Sequence, residues 1–253
     1  MTTSAAPQPG IIPGLSFDDY RALPAWNPSL VIDGMHSMKK LDYVRRHGKK
    51  FSPAQQSRLR MGSATHTAIN EPDEFVRRYA LWDGLKRAGK KYDEFCAANA
   101  GKEALTPGEY KTCLAIRDAV RGHALCQRFF VQGAMAEPSL VWRDPTSELL
   151  CKGRLDWLTG DSIVDWKVTG RITERGIRGV ITDFSYDVRM AAYQDGAMHV
   201  LGESRPVRLV FIESAAPHDI AVVKLPQQAL AKAWDRWQQL LCRIAECEAS
   251  GVW

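Results

Sequence analysis

The sequence predicts a mixed α/β fold, in which a mixed central sheet is flanked by helices and preceded by a helical N-terminal region. Two observations support this prediction. Helical hydrophobic periodicity dominates the first half of the chain, whereas short alternating segments bounded by turn residues begin near residue 136. The resulting order is helices, three strands, a helix, two strands and a final helix, which is typical of a sheet covered by helices.

The composition fits one globular domain. The chain has 253 residues, of which 45% are hydrophobic and 25% are charged, and it can bury one substantial core. We therefore expect a single domain at residues 15–253, with a mainly helical part at 15–133 and the sheet with its flanking helices at 134–253. Residues 1–14 contain three prolines and few side chains that could be buried, so we expect a disordered tail there.

Three helices are predicted in the N-terminal part. They lie at residues 37–47, from Ser52 to just before Pro72, and at residues 107–122. Ser52 is a suitable N-cap and Pro53 suits the first helical position, so the start of the second helix is well defined.

The second half of the chain combines strands with helices. The predicted strands lie at residues 136–143, 149–158, 162–168, 206–213 and 219–224. The first three form an antiparallel meander, whose last turn is signalled by the Gly160-Asp161 pair. A helix at residues 186–201 and a final helix from Pro226 complete the order, and the apolar stripe of the final helix, Trp234 included, predicts core packing.

Charge and cysteine content narrow the possible functions. The net charge of +5 permits a polyanionic partner without requiring one. No apolar run reaches the length of a membrane span, and the N-terminus lacks a secretory-signal pattern, so we expect a cytoplasmic protein without membrane association. The six cysteines include no Cys-x-x-Cys pair, which argues against structural zinc and against an iron–sulfur cluster.

The segment at residues 151–169 carries the main functional signal. Asp156 lies in one apolar run, and Asp165 and Lys167 flank Trp166 at the end of the next. Residues i and i+2 of a strand share a face, so Asp165 and Lys167 point one way and Trp166 the other, and the hairpin can bring Asp156 beside Asp165. Two carboxylates and an ammonium can hold a divalent cation beside a lysine, which suits metal-dependent phosphodiester hydrolysis. Solvated strand ends would show the same spacing, so this segment alone leaves both interpretations open.

Two residues outside that segment could extend the site. His66 lies among very small residues of the second helix and becomes a reasonable additional metal ligand beside an acidic site, although a hydrogen-bonded histidine at a helix contact fits equally. Glu137 begins the strand before Asp156 and could reach the same pocket. A glutamate at a strand end is commonly just solvated, so Glu137 ranks below the two aspartates.

Basic residues lie on both sides of the acidic segment. Arg189 and Tyr193 are four residues apart on one helical face, where the arginine could contact a phosphate and the tyrosine could stack, or the tyrosine could simply be half buried. The other basic candidates are Lys39, Lys40, Arg45, Arg46, Lys49, Lys50, Arg58 and Arg60 upstream, and Arg171, Arg175 and Arg178 downstream. Two such clusters suit DNA binding through phosphate neutralisation, although charge runs are commonly solvated faces.

Four short motifs resemble those of a known family. They are residues 61–66 (MGSATH), 153–156 (GRLD), 164–167 (VDWK) and 186–193 (YDVRMAAY). In this order and spacing they resemble the RecE/RecB-like branch of the PD-(D/E)xK nucleases, most closely the exodeoxyribonuclease VIII type of phages and prophages. Residues 70–75 and 210–213 also match, so the resemblance covers roughly residues 16–224.

The resemblance implies a restriction-endonuclease-like core and an exonuclease that digests duplex DNA from an end, 5′ to 3′, in phage-type recombination. It implies that His66, Asp156, Asp165 and the backbone carbonyl of Trp166 bind Mg²⁺ or Mn²⁺, and that Lys167 activates the attacking water. Tyr193 and the residue four before it would line the DNA groove. A ring-shaped homo-oligomer and a single-strand-annealing protein as partner, in a bacterial or phage-infected cell, are further implications.

The sequence departs from the family pattern at two positions. Arg189 stands where the family has glutamine, which keeps a hydrogen-bond donor and leaves the positioning role of this residue open. Trp166 replaces the usual leucine and faces away from the metal, so activity should be retained. Iron–sulfur relatives need three downstream cysteines, whereas this chain has only Cys242 and Cys247 there.

Two alternatives to an exonuclease stay open. One is a catalytically inactive DNA-binding or scaffolding protein of the same fold, against which the intact Asp156, Asp165 and Lys167 argue. The other is a structure-specific endonuclease with the same site, which would cut DNA that has no end.

Overall fold

The computed structural model describes residues 7–253. Its helices are α1 Phe17–Ala22, α2 Pro28–Val31, α3 Met38–His47, α4 Pro53–Asn70, α5 Pro72–Arg78, α6 Lys90–Ala98, α7 Pro107–Gly122, α8 Ala124–Gln127, α9 Glu174–Asp183, α10 Tyr186–Leu201 and α11 Gln227–Ser250, with a short 3₁₀ helix at Ile32–Met35. Its strands are β1 Gly10–Ile12, β2 Tyr79–Leu81, β3 Glu103–Leu105, β4 Met135–Ala136, β5 Ser139–Arg143, β6 Leu150–Arg154, β7 Trp157–Leu158, β8 Ile163–Thr169, β9 Val207–Glu213 and β10 Ile220–Lys224.

The strands form a mixed five-stranded sheet and two smaller sheets. The five-stranded sheet has the order β10-β9-β8-β7-β4, and within it only β8 and β9 run parallel. A three-stranded antiparallel sheet has the order β1-β5-β6, and β2 pairs with β3. The predicted mixed α/β fold with a mixed central sheet and flanking helices is therefore confirmed.

The predicted three-stranded meander is wrong in one respect. Residues 149–158 do not form one strand, because β6 pairs with β5 in one sheet and β7 pairs with β8 in another. The partner segment breaks at the same level, where Glu137 has a φ of +46° and Pro138 has no N–H to donate. The Glu137 N–H donates to the Asp156 carbonyl at 3.2 Å. Asp156 therefore lies at the point where the chain passes between the sheets.

The prediction of a disordered N-terminal tail is wrong for Gly10–Ile12. This segment is β1, which pairs with Ser139–Val141, and Ile11 packs against the main core. Strand pairing and apolar burial together order it, although its composition is typical of a tail. The first six residues of the predicted tail lie outside the described residues. The short strands β1, β2 and β3 also interrupt the part that was predicted to be mainly helical.

Two hydrophobic clusters cover opposite faces of the five-stranded sheet. The main cluster includes α10, α11 and Phe211, whereas Trp166 and Val210 belong to the cluster on the other face. This alternation places Asp165 and Lys167 on the face opposite Trp166, as predicted. Most of the apolar stripe of α11 is buried, but Trp234 is 44% exposed and its indole N–H donates to Asp195, so the prediction of core packing is wrong there.

The helices in the described part of the chain are too short or too polar to cross a membrane.

Candidate active site

The histidine of the site is positioned by α4. Ser52 and Gln55 form a capping box at the start of this helix, with Pro53 in the first turn, as the sequence predicts. At the other end, Arg121 donates to the carbonyl of Ile69 at 3.0 and 2.7 Å, which satisfies a group that the helix end would otherwise leave free. His66 lies on this helix with its Nδ1 3.4 Å from an oxygen of Asp156.

The predicted hairpin brings the two aspartates and the lysine together. β7 and β8 pair antiparallel, with Trp157 opposite Val164. The Lys167 ammonium contacts the Asp165 carboxylate and lies 3.7 Å from Oδ2 of Asp156. These residues are not solvated strand ends, because Asp165 is buried and the Lys167 side chain is largely covered.

The surroundings shift the pKa values of the two carboxyl groups in opposite directions, down for Asp156 and up for Asp165. Burial opposes ionisation of Asp156, but the charges of His66 and Lys167 outweigh it and hold the pKa of Asp156 far below its usual range. The Trp166 N–H also donates to Asp156 Oδ2 at 2.9 Å. Burial raises the pKa of Asp165, and Lys167 offsets only part of this effect. Such a split between neighbouring carboxyl groups is characteristic of functional sites.

The oxygen atoms of the site lie around the Lys167 ammonium. Besides the two carboxylates, the Lys167 ammonium donates to the Trp166 carbonyl at 3.2 Å. Three hard oxygen donors with an imidazole nearby form a set that suits Mg²⁺ or Mn²⁺. Within residues 7–253, no three His, Cys, Asp or Glu side chains already surround a common metal position, since the Lys167 ammonium stands between the carboxylates. The donor set fits a divalent ion for which this ammonium would have to make room.

Glu137 does not join this cluster. Its carboxylate accepts from the guanidinium of Arg154 at 2.6 and 3.2 Å, so it is neutralised on the side of the neighbouring sheet. The strand break at Glu137 turns the side chain toward Arg154, which the alternation of the sequence could not show. The structure therefore gives no support to Glu137 as a metal ligand.

The two candidates on α10 differ. Arg189 lies close enough to the site for its charge to act on Asp165 and Lys167, and its Nε is buried with no hydrogen-bond partner in the described chain. Tyr193 is buried instead of lining a groove. Its ring lies against β6, where a Cβ on Gly153 would approach it to 3.1 Å. The interpretation of Tyr193 as a packing residue is thus the one that the structure favours.

The remaining basic candidates fall into paired and unpaired sets. Arg58, Arg171 and Arg175 are exposed and have no acidic partner within residues 7–253. Arg60 pairs with Glu109 at 3.4 Å. The others with acidic partners are Arg45 and Arg46 on Asp42, Lys49 on Asp33, and Arg178 on Glu174. Unpaired guanidinium groups are the better phosphate ligands, because paired ones must first be released.

Asn70 belongs to the segment at residues 70–75 that resembles the family, but its contacts with the site were not predicted from the sequence. Its Nδ2 donates to the Asp156 carbonyl at 2.9 Å, and its Oδ1 accepts from the Trp166 indole at 2.8 Å. One buried amide therefore connects the His66 helix with Asp156 and with β8. The available signal was its position four residues after His66, on the same helical face.

Tyr186 is a second residue that was not singled out. Its ring lies 5.1 Å from the Lys167 ammonium and 5.2 Å from the guanidinium carbon of Arg189. It thus lies beside both of these positively charged side chains.

Comparison with known proteins agrees with the fold. The family model described as a PDDEXK-like domain of unknown function (DUF3799) matches residues 38–253. The crystal structure of a protein from Eubacterium rectale, described as a candidate exonuclease, is similar with a TM-score of 0.64 at 17% identity, over 94% of this chain and 88% of that chain. At that identity the likeness shows the fold. No curated protein matches the chain.

Proposed function

The chain belongs to the PDDEXK-like family DUF3799, and on this premise we propose that it is a divalent-metal-dependent DNA exonuclease of the RecE/RecB-like, exodeoxyribonuclease VIII type. The observation that carries the proposal is the position of Lys167 between the carboxylates of Asp156 and Asp165. Burying two acids and an ammonium at one strand end is costly for folding alone, and a catalytic role accounts for it.

The residues divide the chemistry among them. His66, Asp156, Asp165 and the Trp166 carbonyl would hold Mg²⁺ or Mn²⁺, which when bound supplies Lewis-acid stabilisation and a more acidic water. Asp156 is kept ionised by its neighbours, and the Trp166 N–H fixes one of its oxygens. Lys167 keeps its proton, because Asp165 and Asp156 raise its pKa although burial opposes this. Its ammonium would stabilise the negative charge that develops on the phosphate.

Arg189 extends this positive charge toward the substrate. Its guanidinium packs beside the ring of Tyr186, and its buried Nε, which has no hydrogen-bond partner within residues 7–253, would be satisfied by a phosphate oxygen. We propose that Arg189 contacts the phosphate next to the one that is cut, in place of the glutamine of the resembling family. Arg58, Arg171 and Arg175 would bind the DNA backbone further away.

The remaining features of the proposal rest on the resemblance. They are digestion from an end, 5′ to 3′ polarity, a ring-shaped homo-oligomer around duplex DNA, and a single-strand-annealing protein as partner in recombination. A relative in fold that is described as a candidate exonuclease agrees with the first of them.

The experiment that tests the proposal compares end-labelled linear duplex with covalently closed circular DNA in Mg²⁺. Lys167→Ala is the test variant, and Lys224→Ala, an exposed lysine in the same sheet, is the matched control. Loss of the linear substrate alone, abolished only by Lys167→Ala, is the expected result. Cleavage of the circle would indicate an endonuclease, and two intact substrates in Mg²⁺ and in Mn²⁺ would favour a DNA-binding protein without catalysis.

A further inference from the structure

The turn between α9 and α10 presents an aromatic side chain to solvent. Phe184 is 58% exposed and precedes Ser185, whose φ of +49° lies in the left-handed region. A non-glycine residue is uncommon in that conformation and is found where the surrounding structure requires it. The consequence here is geometric, because the turn places the ring of Phe184 over that of Tyr186.

The two rings form a stack that leads from solvent to the catalytic lysine. The ring centroids of Phe184 and Tyr186 are 5.6 Å apart, and the ring planes differ by 20°. Tyr186 also lies 5.1 Å from the Lys167 ammonium. Single exposed apolar residues are ordinary on protein surfaces. An exposed ring stacked on a ring that lies beside the catalytic lysine is a more specific arrangement.

Arg189 supplies positive charge next to the stack, since its guanidinium carbon lies 5.2 Å from the centre of the Tyr186 ring. The exposed Arg171 and Arg175, which have no acidic partner in the described chain, lie near the other end of α9, and Arg175 is about 14 Å from Phe184 along the helix axis. Aromatic faces combined with unpaired guanidinium groups are the pattern that binds single-stranded nucleic acid, in which the base stacks and the phosphates meet the cations. Inside a duplex, neighbouring bases cover both faces of each base, and a terminal pair exposes one face only, so such a stack favours unpaired nucleotides.

We propose that Phe184 and Tyr186 form a base-stacking platform that holds an unpaired nucleotide adjacent to the phosphate that is cut. The platform would make a frayed or single-stranded DNA end the preferred ligand over a fully paired one. This inference rests on the proposed nuclease function, which defines the phosphate that is cut, but the predicted binding does not require hydrolysis.

The test measures binding in EDTA, so that no cleavage occurs. The two probes are a single-stranded oligonucleotide with 2-aminopurine at its end and a blunt hairpin duplex with the same sequence. Phe184→Ala should weaken binding of the single strand by about 5- to 100-fold, the range for one stacked base, and change hairpin binding by less than about twofold. Stacking also quenches 2-aminopurine, and this quenching should be lost in Phe184→Ala and kept in Phe184→Trp.

The matched control is Phe51→Ala. Phe51 is 41% exposed and lies just before α4, about 20 Å from His66 along the helix axis. The platform is overturned if Phe184→Ala behaves as Phe51→Ala does, if both probes weaken equally, or if the wild type binds neither. A wild type that shows the predicted binding but hydrolyses no DNA in Mg²⁺ or Mn²⁺ would support the platform and contradict the nuclease.

Discussion

Lys152 on β6 and Lys167 on β8 are both largely buried, but the Lys152 ammonium contacts neutral carbonyl groups and the Lys167 ammonium contacts charged carboxylates. Lys152 donates to the backbone carbonyls of Tyr20, Arg21 and Leu23 at 2.8, 3.1 and 2.7 Å. Burial and the charge of Arg21 lower its pKa to about 8. Lys167 lies between two carboxylates, which raise its pKa although burial opposes them.

The difference separates a lysine that stabilises the fold from one for which we propose a role in catalysis. The carbonyls around Lys152 lie at the C-terminal end of α1, where backbone acceptors lack helical partners. Lys152 satisfies them and ties α1 to β6, which leaves no room for a ligand. Lys167 instead occupies a point toward which several oxygen atoms converge, so its surroundings are prepared for another cation.

The largest expected effect follows from removal of Lys167. In Lys167→Ala, we expect the rate of DNA hydrolysis to fall by about 10²- to 10⁴-fold, since a charge that stabilises the transition state is lost. The measurement is single-turnover digestion of labelled duplex in Mg²⁺, with circular dichroism to establish that the variant is folded. A rate within about tenfold of wild type would remove Lys167 from the chemistry.

Lys152→Met should have the opposite profile. It leaves three carbonyls without their donor, and we expect the free energy of unfolding to fall by about 2–5 kcal/mol. Urea denaturation measures this change. The specific activity of the folded variant should stay within about threefold of wild type. Equal stability of the two proteins would show that the three hydrogen bonds contribute little.

A smaller effect is expected at the Asn70 bridge. Trp166→Phe keeps the aromatic packing and removes the indole donor to Asn70, which should cost about 1 kcal/mol of stability. In a double-mutant cycle with Asn70→Ala, the two changes should be coupled by about 0.5–3 kcal/mol. Simple additivity of the two free energies would contradict the bridge.

The smallest effect is a pH dependence of stability. The pKa of Lys152 is lowered to about 8 from an ordinary 10.5, so between these values the unfolded chain binds more protons than the folded one. The contribution of Lys152 to the free energy of unfolding should therefore increase as the pH rises from about 8 to 10.5. Urea denaturation across this range should give a slope of unfolding free energy against pH that is more positive in wild type than in Lys152→Met. Identical slopes would mean that the pKa of Lys152 is not lowered in the folded protein.

Local patterns explain what the sequence predicted well. The hairpin that joins Asp156 and Asp165 depends on a turn pair and on period-two alternation, both of which lie within about fifteen residues. The start of α4 likewise depends on Ser52, Pro53 and Gln55 alone. Even the pairing of Arg45 and Arg46 with Asp42 is a local effect of helical spacing, and it could have been predicted.

Tertiary partners explain what the sequence did not predict. The alternation of residues 149–158 looks the same whether they pair in one sheet or in two, so the break at Asp156 was not visible. Glu137 pairs with Arg154, which lies on the neighbouring strand β6. Gly153, also on β6, leaves space for the ring of Tyr193 on α10. Asn70 contributes through contacts 86 and 96 residues away along the chain, which no local pattern encodes.

A metal-dependent site at Lys167 is best tested by hydrolysis of linear duplex DNA by wild type, Lys167→Ala and Lys152→Met, each in Mg²⁺ and in EDTA. We expect wild type and Lys152→Met to digest the DNA in Mg²⁺ only, and Lys167→Ala to leave it intact in both conditions. Digestion by Lys167→Ala at the wild-type rate, or digestion that persists in EDTA, would contradict a metal-dependent nuclease site at this lysine.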